Sequence, residues 1–520
     1  KRNNRKGETA LHDAELFASV AHLDGANYDH ARLWDAWRPL LTNQFHDILP
    51  GSSIREVYDQ CDRDYADALR AADDVASRAV ATLAGRIDTR GDGEPIVVFN
   101  TLSWVRDGAV AIDMPKKRSA ISVIAPNGDV VPHQWTGKST LLFEVDAAPP
   151  LGWAVYRVVP RKRAAQTVRE LKATATGMEN EYLQIEFDLH GRIVRLFDKR
   201  EGREVLAEGR RANVLQLFDD RPHLHDAWDF DHNYERTAWE PGAAESIEVI
   251  ERGPVRAVVR VVRKTERSTI LQDITLHARS PRIDFVTTVD WRERHVLMKA
   301  AFPVDVRASN ATYEIQYGTI DRPTHHNTAH DRARYENTAL RWVDLSEGNY
   351  GVTLLNDCKY GHDVRENVLR ISLLRSSTDP DPEADQGAHA FTYSLYPHAG
   401  DWRNGAVRQG LELNTPIAAH RTTPSRGGLP PVHSFASVDA ENVVIDWIKK
   451  HEDSNAIIVR LYEAHGQRGP VTVTFGQRPR QVFECDLMEE NEQRVRLNGS
   501  SVELYMTPYE LRTLKVKFEK

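Results

Sequence analysis

Long apolar runs are missing from this chain of 520 residues. No stretch approaches the roughly 18 uninterrupted apolar residues that a membrane-spanning helix needs, so the sequence predicts no membrane partner. The basic stretch 1–6 is followed by no apolar region of the kind that a secretory signal requires. Because the chain also begins without Met and runs almost directly into a helical pattern, we expect a cut or truncated start.

Cysteine is scarce. The three cysteines, Cys61, Cys358 and Cys485, are odd in number, far apart in the chain and without CxxC spacing. Such a set does not make a disulfide framework. We therefore expect a reducing compartment and a cytoplasmic location.

Several classes of ligand lack their usual signatures. The 68 basic and 76 acidic residues give a net charge of −8 and form no basic stripe, so no nucleic-acid partner is predicted. The chain has no Gly-rich phosphate loop, no GxSxG element and no GxGxxG after a predicted strand. Nucleotide-dependent chemistry and serine hydrolysis are therefore poor interpretations.

A helical pattern is present from about residue 8 to residue 88. Apolar residues recur three and four positions apart in three stretches. The stripe of the second stretch continues through Phe45 and Ile48 and should stop at Pro50-Gly51, and the pattern Ser53-Ile-Arg-Glu56 should open the third helix. Three amphipathic helices with short links predict a three-helix bundle.

Beyond the turn-rich junction at 90–95 the pattern is β-like almost to the C-terminus. Runs that are β-branched or alternating predict strands at Ile96–Asn100, Ala109–Ile112, Trp153–Val159, Val255–Arg263, Ile283–Trp291, Ala456–Tyr462 and Val471–Phe475. No helical crossovers of about 10–15 residues separate these runs, which favours antiparallel sandwiches over a parallel sheet. The stretch Thr415–Pro431 is rich in Pro, Gly and Thr and predicts a long loop or linker.

We therefore predict a multidomain α + β fold, in which a three-helix bundle is followed by antiparallel β-sandwich (supersandwich) domains. The predicted boundaries are 1–90 for the bundle, 91–170 for a small β domain, 171–430 for a large β-sandwich and 431–520 for a terminal β-sandwich.

The segment Asn43–Ser53, NQFHDILPGSS, places His46 and Asp47 at the predicted end of the second helix. A helix end next to a turn can aim side chains into a cleft. Imidazole is a common zinc ligand, and a carboxylate suits both metals and sugar hydroxyls. The structural alternative is a histidine that caps the last helical carbonyls. One His–Asp pair cannot complete a zinc site with three or four protein ligands, so spacing alone favours that alternative.

Longer motifs carry a family resemblance. The segment Gln44–Gly51, QFHDILPG, resembles the signature that follows the catalytic domain in glycoside hydrolase family 38, the class II α-mannosidases. Further segments that resemble this family, in the family's order, are Asp220–Asp229, Tyr313–His325, Tyr350–Gly361 and Leu373–Pro382. The resemblance extends over nearly the whole chain and is strongest to the cytosolic and bacterial branch.

This resemblance implies site residues. His46 stands where the family has a ligand of its active-site zinc, with cobalt as an alternative metal, and Asp47 stands where the family has the aspartate that contacts the bound sugar. The family's catalytic α/β domain, which carries the nucleophile and the other zinc ligands, has no counterpart here. No catalytic residue is therefore expected in this chain, and one ligand alone should bind zinc weakly.

The resemblance implies the C-terminal part of a retaining, metal-dependent enzyme that hydrolyses terminal α-mannosides. Such a part should be inactive by itself. Its expected partners are an α-mannoside or oligosaccharide and the missing N-terminal catalytic domain, and a homo-oligomer is compatible with the family. The alternatives are a non-catalytic carbohydrate-binding or scaffold protein from a truncated gene, and an unstable fragment. An exposed apolar patch on the bundle would speak against the scaffold.

Two further polar clusters invite a metal interpretation. The first consists of His223, His225, Asp226, Asp229, Asp231 and His232. On a strand its His-x-His spacing would put both rings on one face. The structural alternative is a polar loop that Trp228 and Phe230 anchor to the sandwich. A loop that borders the sugar cleft of the intact enzyme is favoured over an independent metal site. The second cluster consists of His325, His326, His330 and Asp331. Simple loop packing is favoured there over zinc, or over sugar binding beside Tyr317.

Other polar and aromatic residues are expected to have structural roles only. The acidic stretch Asp379–Asp385 contains two prolines and no glycine at its bend, which fits no EF-hand, so a solvated turn is expected. Trp402, Trp447 and Tyr462 are expected to pack in the sandwich cores.

Overall fold

A computed structural model describes residues 1–115, 120–160, 170–231 and 233–519. Its helices are α1 (Arg2–Leu23), α2 (His30–Thr42), α3 (Arg55–Arg86), α4 (Ala329–Arg332) and α5 (Ala406–Asn414), and a single 3-10 turn spans Tyr234–Thr237. Within the described residues, no helix is both long enough and apolar enough to cross a membrane.

Strands make up most of the remaining chain. The first group is β1 (Glu94–Asn100), β2 (Arg106–Asp113), β3 (Ile121–Ile124), β4 (Val130–Val131), β5 (His133–Thr136), β6 (Thr140–Ala148) and β7 (Gly152–Pro160). The second group is β8 (Lys172–Thr174), β9 (Gly177–Glu179), β10 (Leu183–Phe187), β11 (Ile193–Asp198), β12 (Arg203–Glu204), β13 (Val214–Asp219), β14 (Ser246–Arg252), β15 (Arg256–Lys264), β16 (Thr269–His277), β17 (Ile283–Trp291), β18 (Val296–Pro303), β19 (Asn310–Ile315), β20 (Gly318–Pro323), β21 (Asn337–Thr338), β22 (Trp342–Ser346), β23 (Tyr350–Asn356), β24 (Gly361–Arg365), β25 (Val368–Arg375) and β26 (Gly387–Ala399). The third group is β27 (Ala418–Arg421), β28 (Val432–Ser434), β29 (Ala436–Val438), β30 (Val443–Lys450), β31 (Ile457–Glu463), β32 (Gly469–Phe475), β33 (Pro479–Cys485), β34 (Gln493–Val495), β35 (Leu497–Asn498), β36 (Ser501–Met506) and β37 (Leu511–Phe518).

The chain divides into two compact units, each built from several segments. The first unit comprises Lys1–Arg5, Thr42–Arg63 and Val168–Asn414. The second unit comprises Lys6–Leu41, Asp64–Thr167 and Thr415–Lys520.

The first unit contains three antiparallel sheets around one large core. The largest has nine strands in the order β14-β15-β16-β17-β26-β23-β22-β19-β20, and two five-stranded sheets run β13-β18-β25-β24-β21 and β12-β11-β10-β9-β8. Alternation along β17 sends Phe285 and Trp291 inward, where they join Tyr313 and Tyr393 in the core. The burial of these aromatic side chains, together with the aliphatic residues around them, stabilises this unit.

The second unit contains most of the helical bundle and four sheets. A six-stranded sheet, with β27-β1-β7-β3-β4 in order and β28 also paired to β7, shares a core with the three-stranded sheet β2-β6-β5. The terminal sheets β29-β32-β36-β35 and β30-β31-β37-β33-β34 enclose another core, which Leu16 of α1 also joins. Helices α1 and α2 approach closely at Gly7, where a Cβ atom would lie 2.3 Å from Leu40 Cδ1.

These observations confirm the predicted fold class and the seven predicted strands. The predicted helix ends are less accurate: α1 already begins at Arg2, and α2 ends at Thr42, before Phe45 and Ile48. The predicted linker Thr415–Pro431 is also wrong in part, since it contains β27, which pairs with β1. The four predicted domain boundaries remain predictions.

Candidate functional site

The segment between α2 and α3 is a compact turn organised around one carbonyl group. The Asp47 carbonyl accepts hydrogen bonds from the Ser52 amide at 3.1 Å, the Ser53 hydroxyl at 2.9 Å and the Tyr58 hydroxyl at 3.2 Å. Gly51 has a φ of +100°, a conformation that glycine adopts without steric cost. These donors satisfy the Asp47 carbonyl and close the turn that follows the end of α2 at Thr42.

His46 projects from this turn into solvent. Its side chain is 70% exposed, and its Nε2 atom lies 3.3 Å from Asp47 Oδ2. The neighbouring Phe45 ring, 64% exposed, lies 4.8 Å from the imidazole between ring centroids. The imidazole contacts a carboxylate and an aromatic ring, so the helix-capping alternative is not what the structure shows. The side chain is accessible to a ligand.

Two hydrogen bonds fasten the start of the turn. The buried Asn43 accepts a hydrogen bond from Cys61 Sγ of α3 at 3.3 Å, and Gln44 Nε2 donates to Asn4 Oδ1 of α1 at 3.1 Å. Helix ends therefore hold the residues on the N-terminal side of His46.

A second surface element of the first unit is the loop 220–231. It is not a strand, so the predicted His-x-His face does not form, and His225 has a φ of +56°. Arg375 organises the loop: its guanidinium pairs with the buried Asp220 carboxylate at 2.5 Å and donates to the Asp226, Ala227 and Asp229 carbonyls. Of the predicted cluster, His232 lies outside the described residues.

The loop 220–231 is rigidly supported yet displays apolar groups. The side chains of Leu224 and Trp228 are exposed, Trp228 to 65%. The prediction that Trp228 anchors the loop is therefore wrong, whereas Phe230 packs against the cluster of Phe218, Tyr234 and Leu297 as predicted. His223, His225 and Asp229 are exposed beside them. The face of an indole ring can stack on a sugar, and polar side chains next to it can form hydrogen bonds with the sugar hydroxyls.

The acidic stretch Asp379–Asp385 forms the predicted turn and is hydrogen-bonded to the loop 220–231 within the first unit. The Asp379 carbonyl accepts a hydrogen bond from the Ala227 amide at 3.1 Å. On its other side, Asp381 is close enough to Tyr58 to help raise the pKa of that hydroxyl, although burial is the larger cause. The stretch turns as expected, but it is only partly solvated, because Asp381 is buried.

The cluster of His325, His326, His330 and Asp331 has a structural role for its carboxylate. Asp331 Oδ2 accepts hydrogen bonds from the Thr328 amide at 3.0 Å and the Thr328 hydroxyl at 2.8 Å, which caps α4. Because the carboxylate is used in this way, a zinc site in this loop is not supported. Among the described residues, no group of three or more His, Cys, Asp or Glu side chains could hold a metal ion.

The first unit also contains a buried charge cluster that no sequence motif predicted. The fully buried Lys299 of β18 places its Nζ atom 2.8 Å from Asp363 Oδ2 and 3.1 Å from the Tyr234 hydroxyl, and it also contacts Glu336. Arg370 pairs with the same Asp363 at 2.6 Å. The sequence signal that could have revealed it is a lysine within the otherwise apolar run Val296–Pro303.

The predictions for isolated residues have mixed outcomes. Trp402 and Tyr462 are buried as expected, but Trp447 is only half-buried and packs against His12 of α1, with ring centroids 4.7 Å apart. The three cysteines are free thiols, and all are buried.

Three family models match the chain. The alpha mannosidase middle domain matches residues 1–83, the glycosyl hydrolases family 38 C-terminal domain matches residues 178–383, and the glycosyl hydrolases family 38 C-terminal beta sandwich domain matches residues 442–514. The matched residues include the His46 turn and the loop 220–231.

Curated relatives have the same family character. The chain is 34% identical to alpha-mannosidase 2C1 of Homo sapiens over 530 residues, which is 99% of this chain and 48% of the relative. It is 30% identical to alpha-mannosidase G of Dictyostelium discoideum, covering 99% of this chain and 51% of the relative. The chain thus spans about half the length of the curated relatives that it matches.

A solved structure supports the same fold. The crystal structure of an alpha-mannosidase from Enterococcus faecalis V583 superposes with a TM-score of 0.85 at 20% identity, and covers 100% of this chain and 67% of that one. Together with the three family models, the sequence relatives show that this chain belongs to glycoside hydrolase family 38, the α-mannosidase family, and carries its middle and C-terminal regions.

Proposed function

We propose that this chain is the C-terminal part of a retaining, metal-dependent α-mannosidase that hydrolyses terminal α-mannosides. The observation that carries the proposal is the exposed His46–Asp47 pair on a braced turn, within a segment that matches the family's middle domain. The chain by itself is proposed to be inactive, because it spans about half of its curated relatives.

His46 is proposed as one ligand of a zinc ion, and Asp47 as a contact to the sugar. A solvent-accessible imidazole fits one corner of a zinc site, but the absence of any larger ligand group in the described residues means that the remaining ligands must come from elsewhere. When bound, zinc supplies Lewis-acid coordination of sugar hydroxyls, and cobalt would serve in the same way. Asp47 would orient the sugar by accepting hydrogen bonds from its hydroxyls.

The two reacting carboxyl groups are proposed to lie in an N-terminal catalytic region. Retaining glycosidases place a nucleophile and an acid/base about 5–5.5 Å apart. Exposed apolar side chains on α2 support a partner of this kind: Trp34 and Leu41 are seven positions apart, on one helical face, and both are more than half exposed. This stripe favours an enzyme part over a free-standing carbohydrate-binding or scaffold protein.

The loop 220–231 is proposed to border the sugar cleft of the intact enzyme. Its support is the exposed Trp228 face on a loop that Arg375 holds in place. A cytoplasmic location is proposed from the three buried free thiols, which suit a reducing compartment. A homo-oligomer is compatible with the proposal.

The test compares the chain alone with the chain joined to the N-terminal half of a full-length family member. We expect the chain alone to bind no stoichiometric zinc and to leave p-nitrophenyl α-mannoside intact. We expect the joined enzyme to bind zinc and to hydrolyse this substrate. His46→Ala in the joined enzyme should remove tightly bound metal, as measured by elemental analysis. Unchanged metal content would remove His46 from the ligand set, and zinc-dependent turnover by the chain alone would contradict the proposed division of labour.

A further inference from the structure

We propose that Ser52 and Tyr58 are positioning residues that hold the Asp47 carboxylate in the orientation in which it meets the sugar. This inference rests on the proposed function, because it deepens the role given to Asp47. Ser52 acts on the Asp47 carboxylate itself, and Tyr58 acts on the backbone that carries it.

The two oxygen atoms of Asp47 have different neighbours. Oδ1 accepts a hydrogen bond from the Ser52 hydroxyl at 3.2 Å, while Oδ2 faces His46 Nε2 at 3.3 Å. The Asp47 side chain is 39% exposed, so packing alone does not fix its rotamer. The Ser52 hydroxyl therefore supplies the restraint that leaves Oδ2 on the His46 side.

Tyr58 braces the backbone of the same turn. Its hydroxyl accepts a hydrogen bond from the Ser53 amide at 2.8 Å and donates one to the Asp47 carbonyl at 3.2 Å. Burial raises the pKa of this hydroxyl, so it keeps the proton that it donates. One phenol thus bridges the residue that carries the carboxylate and the residue that follows Ser52.

The brace originates from a rigid element. Tyr58 lies in the first turn of α3, which begins at Arg55 and continues to Arg86. Functional side chains are held most accurately when their supports lie on helices or strands rather than on loops. The hydrogen bonds of Tyr58 therefore fix the backbone of Asp47 relative to the start of α3.

A purely structural role for these hydrogen bonds makes a different prediction. Bonds that only close the turn would change stability when removed, and the effect on the reaction would not depend on the Asp47 carboxylate. Bonds that position Asp47 should change kcat/KM through that carboxylate alone, and the effects of the two residues should not be additive.

The first experiment is a double-mutant cycle in the joined enzyme. We expect Ser52→Ala to lower kcat/KM about tenfold, the size of effect that loss of one hydrogen bond to a charged group produces, with bound metal unchanged. Ser52→Thr, which keeps the hydroxyl, should restore most of this loss. In an Asp47→Ala background, which has no side-chain oxygen left to accept the Ser52 hydrogen bond, Ser52→Ala should have no further effect on the residual kcat/KM. An undiminished tenfold loss in that background would overturn the positioning role.

The second experiment uses the 520-residue chain itself. Tyr58→Phe removes the hydroxyl group that forms both hydrogen bonds to this turn. We therefore expect the Ser53 amide to exchange its hydrogen with solvent at least tenfold faster. Tyr505→Phe, at an exposed tyrosine of β36, is the matched control and should leave that exchange unchanged. Unaltered exchange in Tyr58→Phe would overturn the brace.

The outcomes separate this inference from the proposed function. If His46→Ala keeps its metal and Asp47→Asn keeps its kcat/KM, the proposed function fails and the positioning role falls with it. If those variants lose metal and activity while Ser52→Ala behaves as wild type, the proposed function stands and the positioning role is wrong.

Discussion

At the scale of single residues, two ionisable side chains lie in opposite environments. His46 lies in solvent next to one carboxylate, whereas Lys299 is fully buried among Asp363, Glu336 and Tyr234. Burial alone would lower the pKa of Lys299, but the adjacent carboxylates raise it above its usual value, so the ammonium stays charged. A charge in this position is stabilising only while every partner is present.

Replacing Lys299 should therefore cost much stability. Lys299→Met leaves the partly buried Glu336 and one side of the buried Asp363 without their cation, and we expect the free energy of unfolding to fall by about 3–5 kcal/mol. Urea unfolding followed by circular dichroism measures this change. Lys172→Met, which removes an exposed lysine of β8, is the control and should stay within about 0.5 kcal/mol of wild type. Equal losses in both variants would contradict a stabilising role for the buried cluster.

The residue scale also shows where sequence was informative about the site. The motif around His46 and Asp47 was evident from its resemblance to a family, and the structure places both side chains together at 3.3 Å. The contacts of Ser52 and Tyr58 with Asp47 could not be predicted from the sequence, because they depend on the shape of the turn. Helical periodicity had predicted that part of this segment continues the second helix. A lysine within the apolar run Val296–Pro303 points to a buried charge, but its partners come from segments far apart in the chain, and no local pattern identifies them.

At the scale of elements, helix α1 is held to strand β30 by polar groups. The buried Glu15 accepts hydrogen bonds from Trp447 Nε1 at 2.5 Å and from Trp37 Nε1 at 3.3 Å, and His12 Nε2 lies 2.6 Å from the Asp446 carbonyl. Burial raises the pKa of Glu15. The hydrogen bonds from the two indoles oppose this effect, because they stabilise the charged carboxylate. Trp447 was expected in a sandwich core because a lone aromatic in a strand usually packs there; its partner is instead a helix more than four hundred residues earlier in the chain.

Removing one indole donor should weaken this attachment. A conservative change, Trp447→Phe, keeps an aromatic ring but loses the N–H group, and we expect a loss of about 1–3 kcal/mol in the free energy of unfolding. Trp34→Phe, at an exposed site on α2, provides the comparison and should be nearly neutral. Thermal or urea unfolding measures both. A neutral Trp447→Phe would show that Glu15 does not need this donor.

Elements were predictable where their periodicity is strong. The alternation along β17 and the β-branched runs in β15 and β31 gave correct strands. Strand β27 was missed because it has only four residues and lies in a stretch rich in Pro, Gly and Thr; its pairing with β1 is a tertiary contact.

At the scale of the whole molecule, buried histidines make stability depend on pH. His362 is fully buried, with Nδ1 3.1 Å from the Tyr360 carbonyl, and burial lowers its pKa to about 4. An unfolded histidine has a pKa of about 6.5, so between pH 6.5 and 4 the unfolded chain binds the proton that the folded chain excludes. This histidine therefore favours unfolding increasingly as the pH falls through that window.

The matching prediction concerns the slope of stability against pH. We expect the free energy of unfolding to fall between pH 6.5 and 4, with His362 accounting for about 3 kcal/mol of the decrease. His362→Gln should flatten the profile in this window by that amount. Urea titrations at half-unit pH steps measure it, and parallel profiles for the two proteins would show that His362 is not a source of the dependence.

The pairing of β27 with β1 also sets an order of events during synthesis. Thr89 and Thr423, which flank this pairing, are joined by a hydrogen bond across 334 positions of chain. At translation rates of about 5–20 residues per second, β1 leaves the ribosome tens of seconds before its neighbour exists. Throughout that interval one edge of the nascent sheet is exposed to chaperones and to other chains. A message cut short before the codon for Ala418 would leave that edge exposed permanently.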